Sequence, residues 1–357
     1  MAHSSNASPS PSPAGARNPG IKVVAVAGAT GFVGRHVVAE LLSRGYRVRA
    51  LARDIKKAGK TLPAHADLTI VQGQAHTAAG AASLVKGADA VVNCVGILRE
   101  TRGGQPFEQA HVDVPKKLVE AFRDECNARN VPIDHARFVQ ISALGATDED
   151  SRPGGVTRYQ RSKFDGEMVL RRSGFAWTIL RPSLIHGADG EFMQMARGWA
   201  TGRAAPFLFM PYFARRTDGT MSMVPGKTEP AKLAPVFVDD VAWAVGESLA
   251  REQAIGEVYN LVGPETLAWD EMLAHLRDNI PLGKRNLPIV GIPAPLAVAK
   301  ARGCKFLGLD GLLPFDDGMA IMGMRDSVAD MSKARQQLGF EPRPFRPTMA
   351  AYAPQMV

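Results

Sequence analysis

Seven residues, Gly28-Ala29-Thr30-Gly31-Phe32-Val33-Gly34, stand between an apolar β-branched run and an amphipathic one. Ile21 to Ala27 (IKVVAVA) has the composition of a strand buried on both faces of a parallel sheet. Arg35 to Arg44 (RHVVAELLSR) places Val37, Val38, Leu41 and Leu42 at helical spacing. Glycines at such a junction permit a tight turn and let the main chain approach a pyrophosphate. The helix start adds free N–H groups and a positive dipole end. The order strand, glycine turn, helix therefore predicts a crossover built to hold a nucleotide, with Gly28, Thr30, Gly31, Phe32, Val33 and Gly34 in the turn.

The same alternation continues. Strands are expected at Arg47–Arg53, Asp67–Gln72, Ala90–Val95, Ala136–Ser142 and Ala176–Arg181, with helices over roughly 106–127 and 159–172. Right-handed crossovers then give a Rossmann-type, doubly wound parallel α/β sheet with its ligand over the carboxyl ends of the strands. After Pro182 the pattern loosens. Residues 203–232, rich in Pro, Gly, Met and aromatics, read as irregular. Pro235–Ala250 returns to strand then helix, and Glu257–Val262 is one more strand. The rest reads as helical with Pro-rich joints. The expected division is a tail at 1–20, a dinucleotide-binding domain at 21–187 plus 233–263, and a small, mostly helical C-terminal substrate or partner lobe at 188–232 plus 264–357.

Composition sets limits. The chain has 357 residues, 45% hydrophobic and 22% charged, enough for a sizeable core. Residues 1–20, rich in Ser, Pro, Ala and Gly, lack the apolar core of a secretory signal and read as disordered. No run reaches about 18 apolar residues, so no membrane span is expected. Cys94, Cys126 and Cys304 have no metal-binding spacing and fit a reducing, cytoplasmic or matrix-side compartment; no metal is expected. The formal charge of +8 is spread along the chain, which suits nucleotides or acidic lipid head groups and not a nucleic-acid code.

Two further patterns bear on chemistry. The second strand ends Leu51-Ala52-Arg53, where a carboxylate would bind the ribose 2′-hydroxyl of NAD. Arg53 favours NADP(H) over NAD(H), while Asp54 turned inward would favour NAD(H). Tyr159-x-x-x-Lys163 lies on an expected helix, where residues four apart share a face. The Lys163 ammonium is expected to lower the Tyr159 pKa so that the phenol can exchange a proton with a substrate oxygen, with Ser142 donating to that same oxygen.

These carriers, with Arg181–Gly187 (RPSLIHG) and Pro235–Ala242 (PVFVDDVA), resemble the atypical, extended short-chain dehydrogenase/reductases over roughly 22–263. Val91–Leu98 (VVNCVGIL), Ile141–Ala146 (ISALGA) and Arg158–Lys163 (RYQRSK), with Gly166-Glu167 following, are similar to the subgroup of the nucleotide-binding accessory subunit of respiratory complex I and its bacterial relatives. The resemblance implies that Gly28, Gly31, Phe32, Val33 and Gly34 surround the pyrophosphate. It puts Asn93, Val95 and Gly96 along the adenine-to-ribose stretch and Pro182, Ser183 and Leu184 beside the nicotinamide. Asp239 and Asp240 are expected to anchor the sheet to the second lobe. The chain departs from the catalytic pattern where Ala143 follows Ser142, at Asp113 and at Gln74.

The resemblance implies an NADP-dependent oxidoreductase, or an enzyme of the epimerase/dehydratase kind, acting on a small-molecule or quinone-like substrate. Its alternatives are a non-catalytic accessory or assembly factor of complex I or of quinone biosynthesis, peripheral to the inner membrane, and an NADP/NADPH redox sensor. Lesser signals are expected as follows. His186 is a solvated loop residue, with substrate contact as the alternative. Phe207–Phe213 packs in the core, lines a quinone tunnel or docks a partner. Pro293–Leu309 is a lobe helix, with a membrane surface as the alternative, and Met319–Met324 is core.

Overall fold

The computed structural model describes residues 18, 20–100, 103–308 and 313–356. The tail expected at 1–20 lies outside the described residues except for Asn18 and Gly20. The Asn18 amide donates to the Tyr46 hydroxyl at 3.0 Å.

Seven strands form the central sheet: β1 (Val23–Ala27), β2 (Arg47–Ala52), β3 (Leu68–Gln72), β4 (Ala90–Asn93), β5 (Arg137–Ile141), β6 (Ala176–Pro182) and β12 (Glu257–Leu261). Their spatial order is β12-β6-β5-β4-β1-β2-β3, and every pairing is parallel. The order reverses between β1 and β4, the switch point where doubly wound sheets open a crevice. β1 shows why its sequence suits a central strand. Val24 and Val26 face one hydrophobic core and Ala25 and Ala27 the other, so both faces are buried.

On the first face, α1 (Phe32–Ser43) and α7 (Val238–Ala250) bury Val37, Val38, Leu41, Val241 and Val245. On the second, α3 (Ala78–Val85), α4 (Val114–Ala128) and α5 (Arg158–Arg171) contribute Leu84, Leu118, Phe122 and Leu170. A π turn at Gln109–Asp113 precedes α4.

The residues after β6 build a second body. A three-stranded sheet of β8 (Met210–Arg216), β9 (Thr228–Pro230) and β14 (Ile289–Pro293) packs with α6 (Glu191–Ala200), α8 (Trp269–Asn279), α9 (Ala294–Phe306), α10 (Asp317–Gly323) and α12 (Phe345–Tyr352). The stretch 203–232, expected to be irregular, thus contains a seven-residue strand. Its parallel partner is β14, whose residues begin at 289. A strand whose partner is that distant, and whose second residue is Pro211, leaves little local signal. The chain also crosses back: α11 (Ser332–Leu338) and Phe340 pack into the first core of the Rossmann sheet before α12 returns to the lobe.

Candidate functional site

The turn after β1 is shaped by its glycines. Gly28 has φ +73°, and a Cβ there would stand 2.9 Å from the Cys94 carbonyl carbon and the Val95 nitrogen. A Cβ at Gly34 would overlap the Gly28 carbonyl, so α1 can pack against the turn only with glycine there. The first turn of α1 has no side-chain cap and no acidic residue, so its amides are free to take an anion. Thr30 and Gly31 are exposed over this cradle, and Phe32 and Val33 are half-buried. The Phe32 ring lies where Cβ atoms at Gly187 and Gly190 would be, which draws the loop after β7 (Ile185–His186) against the turn. These residues fit a dinucleotide pyrophosphate, which a bare main chain and a helix start can hold.

At the end of β2, Asp54 accepts the Lys57 amide at 3.0 Å and caps α2 (Ile55–Thr61). Its carboxylate is thereby engaged outside the crevice. Arg53 is exposed and has no hydrogen-bond partner among the described residues; Lys56, Lys57 and Lys60 follow it on α2.

The floor under the middle of the crevice is made by Asn93. It is wholly buried, donates to Gln140 Oε1 at 2.9 Å and accepts the Val95 amide at 3.0 Å. Asn93 therefore shapes the loop that carries Val95 and Gly96. That loop is also held by His111, a residue of the π turn that is 1% exposed. The Ile97 amide donates to His111 Nε2 at 3.1 Å, so the proton sits on Nδ1 and is donated to Ser162 Oγ at 2.8 Å. Ser162 passes the chain on to the Tyr159 carbonyl at 2.9 Å. Burial, with the Lys163 charge added, pushes the imidazole down to about 2, so it stays neutral. His111 had no distinguishing signal in the sequence, lying within the helix expected over roughly 106–127.

α5 begins with a capping box between Thr157 and Gln160, which fixes the register of Tyr159 and Lys163. The Tyr159 ring stands edge-on to Phe107 at 5.8 Å and to His111 at 5.6 Å. Lys163 is 7% exposed, and a Cβ at Gly96 would lie 2.8 Å from its Nζ. Among the described residues no hydrogen bond or ion pair holds that ammonium. Burial pushes Lys163 down to about 8. Burial also pushes the Tyr159 phenol up to about 12. This runs against the expected lowering: loss of solvent is the one cause that shifts Tyr159, and Lys163 contributes no opposing shift.

Ser142 departs from its expected role. Its hydroxyl donates to Glu167 Oε1 at 2.6 Å. Glu167 is fully buried, one helical turn beyond Lys163, and is gripped by Arg181 through Nε–Oε1 at 2.7 Å and Nη2–Oε2 at 2.6 Å. A hydrogen already given to a buried carboxylate is not available to a substrate oxygen, and Ala143 and Leu144 offer no hydroxyl in its stead. The Ser142–Glu167–Arg181 chain ties β5, α5 and β6 together. In the sequence Glu167 stood out only as part of the Gly166-Glu167 pair that follows the Tyr159/Lys163 motif. Beside it, Pro182 and Ser183 are buried and Leu184 half-buried, and the Ser183 hydroxyl donates to the Ala234 carbonyl.

Two groups join the lobes around this crevice. His36 lies 2.6 Å from Asp239 and 3.1 Å from Asp189. Burial opposes its charge, but those two carboxylates outweigh burial and hold the imidazole up at about 9. Asp240 accepts from the Arg343 amide and Nε, both at 2.8 Å, tying α7 to the segment before α12 as an anchor. His186 is fully buried against Phe237, Phe345 and Tyr352, not solvated. Arg325 grips Asp150, Gln160 and the Pro153 and Gly155 carbonyls, fixing the loop that leads into α5. Among the described residues no group of three or more His, Cys, Asp or Glu gathers as metal ligands, and no helix is long and apolar enough to cross a membrane.

Residues 28–197 match the family model described as NAD(P)H-binding. The chain is 26% identical over 332 residues to NADH dehydrogenase [ubiquinone] 1 alpha subcomplex subunit 9, mitochondrial, of Mus musculus, covering 90% of this chain and 77% of that protein. It is 32% identical over 192 residues to a ceramide reductase of Caulobacter vibrioides, covering 52% of this chain and only 54% of the reductase. A solved short-chain dehydrogenase/reductase superfamily protein from Agrobacterium tumefaciens, with bound NAD, superposes with a TM-score of 0.62 at 19% identity, covering 94% of this chain and 96% of that one; it shares the fold.

Proposed function

We propose, from the premise that this chain is an NAD(P)H-binding relative of the short-chain dehydrogenase/reductases, that it is an NADP(H)-dependent oxidoreductase interconverting a carbonyl and an alcohol. The observation that carries this reading is the pairing of Tyr159 with an unpartnered Lys163 on one face of α5, against Gly96. A bound dinucleotide would supply the hydride. Tyr159 gives its proton to the substrate oxygen in reduction and takes it back in oxidation. Lys163, buried against Gly96 without an ion-pair partner among the described residues, would hold a ribose hydroxyl of the dinucleotide and stabilise the tyrosinate as it forms. Ser142 acts at one remove, positioning α5 through Glu167. Arg53, with α2 lysines behind it and Asp54 turned to its cap, supports a 2′-phosphate and hence NADP(H). The names of the relatives, a ceramide reductase and a ubiquinone-linked dehydrogenase subunit, favour an amphipathic or quinone-like substrate.

Tyr159→Phe tests the reading. NADPH oxidation against a panel of ketones and quinones should fall by about 10²-fold or more, with dinucleotide affinity kept. An unchanged rate overturns it.

A second reading has its own support. Because Ser142 is engaged with Glu167, the proton-transfer set lacks its serine hydroxyl, and the mouse relative is named as a dehydrogenase subunit. In that reading the nucleotide stiffens the fold of a respiratory accessory protein at the membrane. It predicts dinucleotide retained through purification and no turnover in the wild-type chain.

A further inference from the structure

Helix α9 has two apolar faces. One, made of Ala294, Pro295, Ala297, Val298 and Ala301, is buried against α10 and the β8–β14 sheet. The other runs through Leu296, Ala299, Gly303, Phe306 and Leu307, and it is open. Leu296 is 53% exposed, Leu307 68% and Phe306 90%. A Cβ at Gly303 would meet nothing within 4 Å. Large side chains this exposed on one helix face are unusual in a protein surrounded by water alone.

Cations border this face. Lys300, Arg302 and Lys305 lie along α9, which has no acidic residue. The Asp316 carboxyl, raised by burial, feels the charge of Lys305. Asp316 and Asp317 are the acids facing this cluster. Asp316 caps α10 through the Met319 amide at 2.7 Å, and Asp317 pairs with Arg302 at 3.1 Å. Of the three cations on α9, Arg302 alone has an ion-pair partner among the described residues.

We infer that the open face of α9 docks on an anionic lipid bilayer. Phe306, Leu307 and Leu296 enter the acyl boundary while Lys300 and Lys305 meet the head groups. An interfacial helix needs this combination of an apolar face and basic flanks. The chain's formal charge of +8 has the matching sign.

Co-sedimentation of the full chain with vesicles of phosphatidylcholine, with and without phosphatidylglycerol, tests this. Binding to the anionic vesicles is expected, weakened by salt, and reduced by about tenfold or more in Phe306→Ser/Leu307→Ser. Dinucleotide affinity measured on the same variant reports its fold. Lys300→Glu/Lys305→Glu, which removes no apolar surface, should lose the preference for phosphatidylglycerol. No binding by the wild-type chain, or equal binding by both variants, overturns the proposal. So does self-association of the wild-type chain that the serine variant abolishes, since a second copy would then be the occupant.

Discussion

The two ends of the crevice are built from different materials. At the pyrophosphate end the working parts are main-chain amides and absent side chains: Gly28 at positive φ, Gly34 under the turn, and a helix start without a cap. At the proposed proton-transfer end they are side chains set by other buried side chains: Tyr159 against Phe107 and His111, and Ser142 on Glu167 on Arg181. A main-chain site is written in local spacing. A side-chain site is written in contacts between residues far apart in the chain, and its chemistry depends on which partner each group finds.

The comparison can be broken most forcefully at Glu167. Glu167→Ala leaves Arg181 charged and uncompensated at the end of the sheet and should cost about 3–5 kcal/mol of stability in chemical denaturation. A loss under about 1 kcal/mol would mean that the side-chain end is less interdependent than its geometry implies. Gly34→Ala tests the other end. Its Cβ meets the Gly28 carbonyl, so a loss of about 1–3 kcal/mol is expected, together with weaker binding of NADPH and NADH alike. Arg53→Ala should discriminate between them. Losing a charge-assisted contact of about 1.5–3 kcal/mol would weaken NADPH by tenfold or more and leave NADH nearly unchanged. Equal effects on both would remove the 2′-phosphate from the account.

The smallest effect is one of pH. Because the folded His36 is held at about 9 against an ordinary 6.5, its contribution is complete below 6.5 and disappears as pH rises through 9. With Asp189 and Asp239 partly exposed, about 1 kcal/mol is the expected size. Thermal melting should fall across that window in the wild-type chain and stay flatter in His36→Gln; parallel curves would show the triad to be idle.

Legibility in the sequence followed the same division. The run from β1 through the turn into α1 could be read directly, because valines at strand spacing, glycines and a helical stripe are all neighbours. Tyr159 and Lys163 could be paired by the rule of four. The direction of the Tyr159 shift could not, because it depends on how much water Phe107 and His111 exclude. Ser142 was visible as a hydroxyl at a strand end, but its partner lies 25 residues away on a helix. His186 looked like a loop residue because nothing nearby reveals that Phe345 and Tyr352 close over it. β8 stayed hidden for the same reason, its partner β14 being remote.

The crossing of the chain after the lobe has a consequence for biosynthesis. The seventh strand, β12, comes after the first lobe segment, and α11 with Phe340 seals the first core only from residue 332 onward. A nascent chain leaving the ribosome can therefore form its glycine turn early, but it cannot close the hydrophobic interior beneath that turn until residues 332–340 have been made. Stalled or C-terminally clipped polypeptides would present an unsealed sheet to chaperones and proteases, even though the whole nucleotide fingerprint had already been made.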